Sequence, residues 1–368
     1  MDFKNIEQTA QAMIVGASNI KNMDVFNVKH GLTDQIIYNR KEMVDLIDPI
    51  MRYLLIGSIK HPIISGSRGC GKTSLITYML NELKKFRDID VLSINCRRFN
   101  TSYRIMKELT GAKNKTDNPG VIKQFENMVV NSKKEKNILV LDEVDALKDD
   151  KLLYYITRFE KFANLLVIML TNKFSFYDSL TLDVKSSLDH KFFFLDVYDK
   201  EEVKEILIKR AKVGLKKYDE YIINSIAAIT SQAYNSDTRI AIKSCLEIFL
   251  EKDYEKYLNN SNLIAAVMKT QFIKMKNEAI SNLHDNKLLL LYLTIKYKHS
   301  PSIYNQLVGL GHKIVKSYFF VWMGDLERQD LIIRRRSNNK SYEYIPHMDE
   351  ENQEKVFKLV QQRLPGIV

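Results

Sequence analysis

Cysteine is scarce in this 368-residue chain: Cys70, Cys96 and Cys245 lie far apart, with no CxxC pair. That spacing excludes a disulfide framework and a cysteine-based zinc site. It suits a reducing interior, so a cytoplasmic location is expected. Long apolar runs are missing too. Nowhere do about 18 consecutive apolar residues occur, so no helix is expected to span a membrane. The opening "MDFKNIEQTAQAMIVGASNI" has no apolar core like that of a secretory signal. Internal repeats and low-complexity tracts are also absent. What remains is ordinary globular composition, 45% hydrophobic and 27% charged. The length suits two or three domains. Lys plus Arg is 56 against 45 for Asp plus Glu, a net charge of +11. That balance points to polyanions, either nucleic acid or an anionic membrane.

Five short apolar runs have the character of buried parallel strands: "HPIISG" (61–66), "VLSIN" (91–95), "NILVLDE" (137–143), "LLVIMLT" (165–171) and "KFFFLDV" (191–197). Each is apolar on both faces, as a strand covered on both sides must be. Helical patterns such as "TSLITYMLNELKKF" (73–86) separate them, which predicts an α/β layer with a parallel sheet. After Val197 the strands stop, and three amphipathic helices follow over 199–214, 219–234 and 237–254. From Asp285 the pattern changes again, to three helices, a hairpin and a last helix from about Glu350.

"GSRGCGKTS" fits G-x-x-x-x-G-K-[ST] over Gly66, Ser67, Arg68, Gly69, Cys70, Gly71, Lys72 and Thr73, with Ser74 next. It follows a strand and opens a helix, the context a phosphate loop requires. Glycines let backbone N–H groups turn toward phosphate oxygens, and the helix N-terminus adds its positive end. Lys72 is expected at the β- and γ-phosphates of ATP, or the β-phosphate of ADP, and Thr73 on Mg2+. "ILVLDEVDAL" carries Asp142, expected to hold Mg2+ through water, and Glu143, expected to polarise the attacking water. Asn172 ends a strand where it would orient that water, and Arg239 opens a later helix from which it would reach the γ-phosphate. A turn-forming asparagine and a surface arginine are the plainer readings of those two.

Together these pieces resemble the AAA+ ATPases. The segments "INCRRFNTSYRIMKEL" (94–109), "LDEVDAL", "DVKSSLDHKFFFLDVYDKEEVKEIL" and "YNRKEMVDLIDPIM" (38–51) resemble, more narrowly, the origin-recognition and Cdc-type replication initiators of archaea and eukaryotes. The resemblance implies a five-stranded parallel AAA+ P-loop sheet over 1–197, a helical lid over 198–280 and a winged-helix domain over 281–368. It implies an initiator-specific insertion at about 97–120, where Arg97, Arg98 and Lys107 suit DNA phosphates. It also implies ATP hydrolysis, with double-stranded origin DNA and an MCM-type replicative helicase as the partners; the two departures that follow make slow hydrolysis the expectation. The protein would be nucleoid-associated, a monomer or assembling on DNA. Two departures stand out. Asp183 occupies a position where family members often have an arginine acting on a neighbour's nucleotide, with Lys185 as a substitute. The usual glycine before Arg239 is replaced in Ser236-Asp237-Thr238-Arg239.

The C-terminal pattern reads as a winged helix. Val315, Phe319, Trp322 and Leu326 recur at i, i+4, i+7 and i+11 and are expected in the core. That leaves Lys313, Lys316 and Ser317 at the N-terminal end of a recognition helix. "LIIRRRSNNKSYEYI" (331–345) then forms a hairpin around "SNNK". Strand alternation puts Arg334 and Arg336 on one face and Arg335 on the other, with Lys340 at the turn. These cations suit a DNA backbone or a narrow minor groove. Two other readings stay open: a signalling or defence ATPase switch whose winged helix packs on the nucleotide domain, and a clamp-loader or transposition-type ATPase.

Overall fold

The computed structural model describes residues 19–27, 40–112, 118–312, 314–336 and 341–365. Its contacts divide the chain into two units, Met1–Ile264 and Ala265–Val368.

The first unit is built on five parallel strands: β1 (His61–Gly66), β2 (Ile89–Asn95), β3 (Lys136–Asp142), β4 (Leu165–Thr171) and β5 (His190–Leu195), in the order β2-β3-β4-β1-β5. Helices α1 (Glu42–Ile56), α2 (Lys72–Lys84), α3 (Ser102–Thr110), α4 (Asn118–Val130), α5 (Lys151–Arg158) and α6 (Leu182–Ser187) connect them. β1 and β4 are buried along their whole length, as their unbroken apolar runs require. The two outer strands depart from the sequence expectation of burial on both faces. Most of β2 is only part-buried, and Phe194 in β5 is half exposed, because an edge strand has a neighbour on one side only. One core packs Leu46, Ile50 and Tyr53 of α1 and Leu75, Ile76 and Met79 of α2 on one sheet face. The other packs Ile105, Phe125 and Leu152 from α3, α4 and α5 on the opposite face.

Three further helices complete this unit: α7 (Lys200–Gly214), α8 (Glu220–Ala233) and α9 (Thr238–Leu250). Each is capped by an aspartate: Asp199 in a capping box with Glu202, then Asp219, then Asp237. The turn into α9 holds Asn235 and Ser236 at positive φ, 49° and 54°. The backbone shape that favours glycine there is therefore kept without one, at about 1 kcal/mol per residue.

The second unit holds most of α10 (Ser261–Ser281), then α11 (Asp285–Tyr297), α12 (Ser300–Gly309) and α13 (Lys316–Arg328). The antiparallel hairpin of β6 (Ile332–Arg336) and β7 (Tyr342–Pro346) and helix α14 (Glu350–Arg363) follow. This is a winged helix. α11 is buried over Leu288–Thr294 and forms its centre, with Phe319, Met323, Leu326, Tyr344 and Val356 packed around it. No helix among the described residues is long and apolar enough to cross a membrane.

Candidate nucleotide site and nucleic-acid interface

β1 delivers the loop 66–71 to the carboxyl edge of the sheet, where open α/β sheets bind ligands. Gly69 and Gly71 have φ of +77° and +89°, backbone that side chains rarely adopt. Lys72 is buried. Its Nζ donates to Gly66 O at 2.7 Å, Ser67 O at 2.9 Å and Asn172 Oδ1 at 3.0 Å. Ser67 Oγ is buried without a hydrogen-bond partner among the described residues. Glycine backbone shaped for a close approach, an unpartnered hydroxyl and a helix N-terminus fit an incoming phosphate.

Thr73 Oγ1 donates to Asp142 Oδ2 at 3.1 Å, so the two residues expected on Mg2+ are neighbours. Among the described residues no three His, Cys, Asp or Glu side chains converge. A divalent ion here would therefore depend on phosphate oxygens as well as on this pair, as Mg2+ commonly does. Burial pushes the Lys72 amine below its ordinary value. Burial likewise raises the Asp142 carboxyl, the charge of Glu143 adds to the rise, and the Thr73 hydroxyl opposes it. Each shift marks a charge lacking full compensation.

Glu143 follows β3 at φ 51°, a left-handed position, and its Oε2 lies 2.8 Å from Arg97 Nε. Arg97, expected to face DNA, is instead paired with the residue expected to activate water. The cause is strand pairing: β2 and β3 end in register at Asn95 and Asp142, so the residues just beyond both tips meet. Arg98 is exposed, with its guanidinium 5.2 Å from the Phe99 ring centre, and Lys107 lies over Tyr103.

Arg239 is likewise engaged within the chain. Its Nε donates to Asp237 at 2.9 Å and 3.1 Å and its Nη2 donates at 2.5 Å. Asp237 itself presses on the phosphate loop: a Cβ on Gly69 would lie 2.5 Å from its Oδ1. Thr238 Oγ1 adds a 2.8 Å hydrogen bond to Gly69 O. The lid thus touches the loop through Asp237 and Thr238, and Arg239 folds back on Asp237. Lys185 Nζ donates to Asp178 O at 2.7 Å, while Arg158 donates to Asp183 O and Ser186 Oγ on the same surface.

Several contributors had little or no signal in the sequence. Arg40 is buried and donates to Cys70 O and Asp196 O, each at 2.9 Å, tying the lead-in segment to the loop. Its guanidinium covers Tyr198, whose hydroxyl crowds Gly71. Asp145 accepts from Asn172 N at 3.0 Å and fixes that residue toward Lys72. Only the "YNRK" lead-in carried a signal for any of these.

In the second unit the core stripe of α13 is Phe319, Met323 and Leu326, which keeps the expected Phe319 and Leu326 and replaces Val315 and Trp322 by Met323. Val315 is the residue before the helix and is 62% exposed, and Trp322 is only part-buried, since the helix starts one residue later than the stripe assumed. Lys316 and Ser317 are exposed in its first turn, while Lys313 and Lys340 lie outside the described residues. In the hairpin, Arg334 faces Tyr344, Arg335 faces Glu343 and Arg336 faces Tyr342. Arg334 and Arg336 therefore share the face of the buried Ile332 and Tyr344. Arg334 covers the Tyr342 ring at 4.9 Å and lies 3.5 Å from Glu327. Arg335 is on the outer face. At the hairpin base Lys276 Nζ lies 2.7 Å from Asp330 Oδ2, and His347 Nδ1 lies 2.9 Å from Asp330 Oδ1.

Comparison with known proteins agrees with this fold. The AAA domain family matches residues 59–177. ORC1-type DNA replication proteins of Thermococcus onnurineus and Pyrococcus furiosus are 25% and 28% identical over 262 and 264 residues. Those alignments take in 65% and 64% of this chain. The chain is thus similar in sequence to ORC1-type replication proteins. It spans 63% and 61% of the length of those two relatives. The Aeropyrum pernix ORC1 protein, solved in complex with DNA, superimposes with a TM-score of 0.69 at 20% identity, over 94% of this chain and 100% of that one. The Aeropyrum pernix ORC2 protein, solved with ADPNP and ADP, reaches 0.59 at 16% identity, over 94% and 99%. The fold of these two structures is thus the fold found here.

Proposed function

We propose that the chain is an ATP-dependent DNA replication initiator that binds double-stranded origin DNA and hydrolyses ATP slowly. One observation carries the reading. The same chain has an AAA site in which Lys72, Thr73, Asp142 and Asn172 converge, and a winged helix fringed by Lys316 and Arg334–Arg336. Lys72 and the loop N–H groups would hold the β- and γ-phosphates, relieving the low Lys72 pKa. Thr73 and Asp142 would hold Mg2+, which supplies neutralising charge to the phosphates. Glu143 would take a proton from the attacking water once Arg97 lets it go, with Asn172 holding that water. Slow turnover is supported by the engagement of Glu143 with Arg97 and of Arg239 with Asp237.

Help in recruiting an MCM-type helicase is the downstream role that the family resemblance suggests. Duplex binding by the full chain at physiological salt, with ATP, ADP or neither, tests the reading. Tighter binding to origin-region DNA with ATP is expected. Equal affinity for random DNA regardless of nucleotide sinks the specific part. In a switch whose winged helix never meets DNA, charge reversal of Arg334–Arg336 alters nucleotide exchange and leaves duplex binding untouched.

A further inference from the structure

We propose that the outer face of α13 reads thymine 5-methyl groups, so the duplex this chain prefers has a major groove rich in methyls. The proposal rests on the duplex-binding reading above and extends it to the kind of sequence bound.

Helical periodicity sets the geometry. Phe319, Met323 and Leu326 occupy the core side. The opposite side carries Ser317 and Val321, with Tyr318 on one flank and Phe320 on the other. Those last three are large and apolar yet open: Tyr318 is 60% exposed, Val321 46% and Phe320 43%. Phe320 is braced edge-on against Tyr342 of the hairpin at 6.1 Å, so this face is held rather than loose.

The side-chain chemistry narrows what this face can recognise. From Val315 to Gly324 there is no Arg, Asn, Gln, Asp or Glu. Bidentate reading of guanine by arginine, of adenine by Asn or Gln, and of cytosine by a carboxylate is therefore absent from these turns, and the one lysine of the stretch, Lys316, stands at the rim in the first turn. Major-groove chemistry leaves one base-specific feature that Val, Tyr and Phe recognise, the methyl of thymine. Charge identifies the occupant as duplex rather than protein. Lys316 stands at the start of the face, the Arg334–Arg336 strand lies beside it, and residues 265–368 hold sixteen Lys and Arg against ten Asp and Glu. A polyanion is complementary to that rim.

The test is binding of the full chain to one A·T-rich duplex in two forms, with thymine or with deoxyuridine, which lacks only the methyl. A G·C duplex with cytosine or 5-methylcytosine forms a second pair, because that methyl also projects into the major groove. Loss of the methyl should weaken binding about fourfold per contacted group, and 5-methylcytosine should strengthen it. Val321→Ala and Tyr318→Ala should bring the thymine-to-uracil ratio toward one, whatever they do to overall affinity. Duplex binding with equal affinity for thymine and uracil forms overturns the methyl reading and leaves duplex binding intact. Failure to bind any duplex overturns both and assigns the apolar face to a protein partner.

Discussion

Lys72 and the arginines of β6 are cations used in opposite ways. Lys72 is buried, bonded to two carbonyls and an asparagine, and closes a loop whose Gly69 and Gly71 hold positive φ. Arg334, Arg335 and Arg336 are exposed along the strand β6. A buried cation serves one ligand geometry, and its removal is felt at once. An exposed run serves a long polyanion, where each charge contributes a share.

The contrast can be broken in order of size. Glu143→Gln should retain ATP binding and lower hydrolysis by about 100- to 10,000-fold in a steady-state assay; unchanged turnover removes Glu143 from its role. Lys72→Ala should weaken nucleotide binding by about 10- to 100-fold in titration calorimetry, the scale of losing a charge-assisted buried hydrogen bond. On the hairpin the effects should be smaller and graded. Arg334→Ala and Arg336→Ala should each weaken duplex binding a few-fold and lower the salt slope by about one, with Arg335→Ala doing less. Equal losses at all three would mean that both hairpin faces meet DNA alike.

The smallest effect concerns acid. Burial alone would raise the Asp330 carboxyl, but the His347 hydrogen bond and the Lys276 charge hold it well below the usual carboxylate range. A depressed folded value contributes stability that is present above the ordinary carboxylate pKa of about 4 and lost as pH falls through the folded one. Thermal unfolding from about pH 7 down to pH 2 should therefore show the second unit losing stability below about pH 4. Asp330→Asn should flatten that loss, and an unchanged slope contradicts the assignment.

The sheet was legible because buried parallel strands must be apolar on both faces, and five runs met that demand. Its edges misled for the same reason: Phe194 is apolar but borders solvent. The phosphate loop was legible as a local pattern with local causes. The Arg97–Glu143 pair was not, because it depends on which strands lie side by side, and nothing local to either residue states that. Arg239 was placed correctly on its helix, but its engagement depends on Asp237, whose side chain caps α9 and grips the arginine two residues on. The stripe of α13 slipped because Val315 fits the helical period yet stands before the first turn.

The contact between Asp237 and Gly69 gives loading a distinctive character. A loop shaped for anions already has a carboxylate of its own chain at its shoulder. That carboxylate is held by Arg239 and by the first turn of α9, so the shoulder of the loop is walled by the lid before any nucleotide arrives.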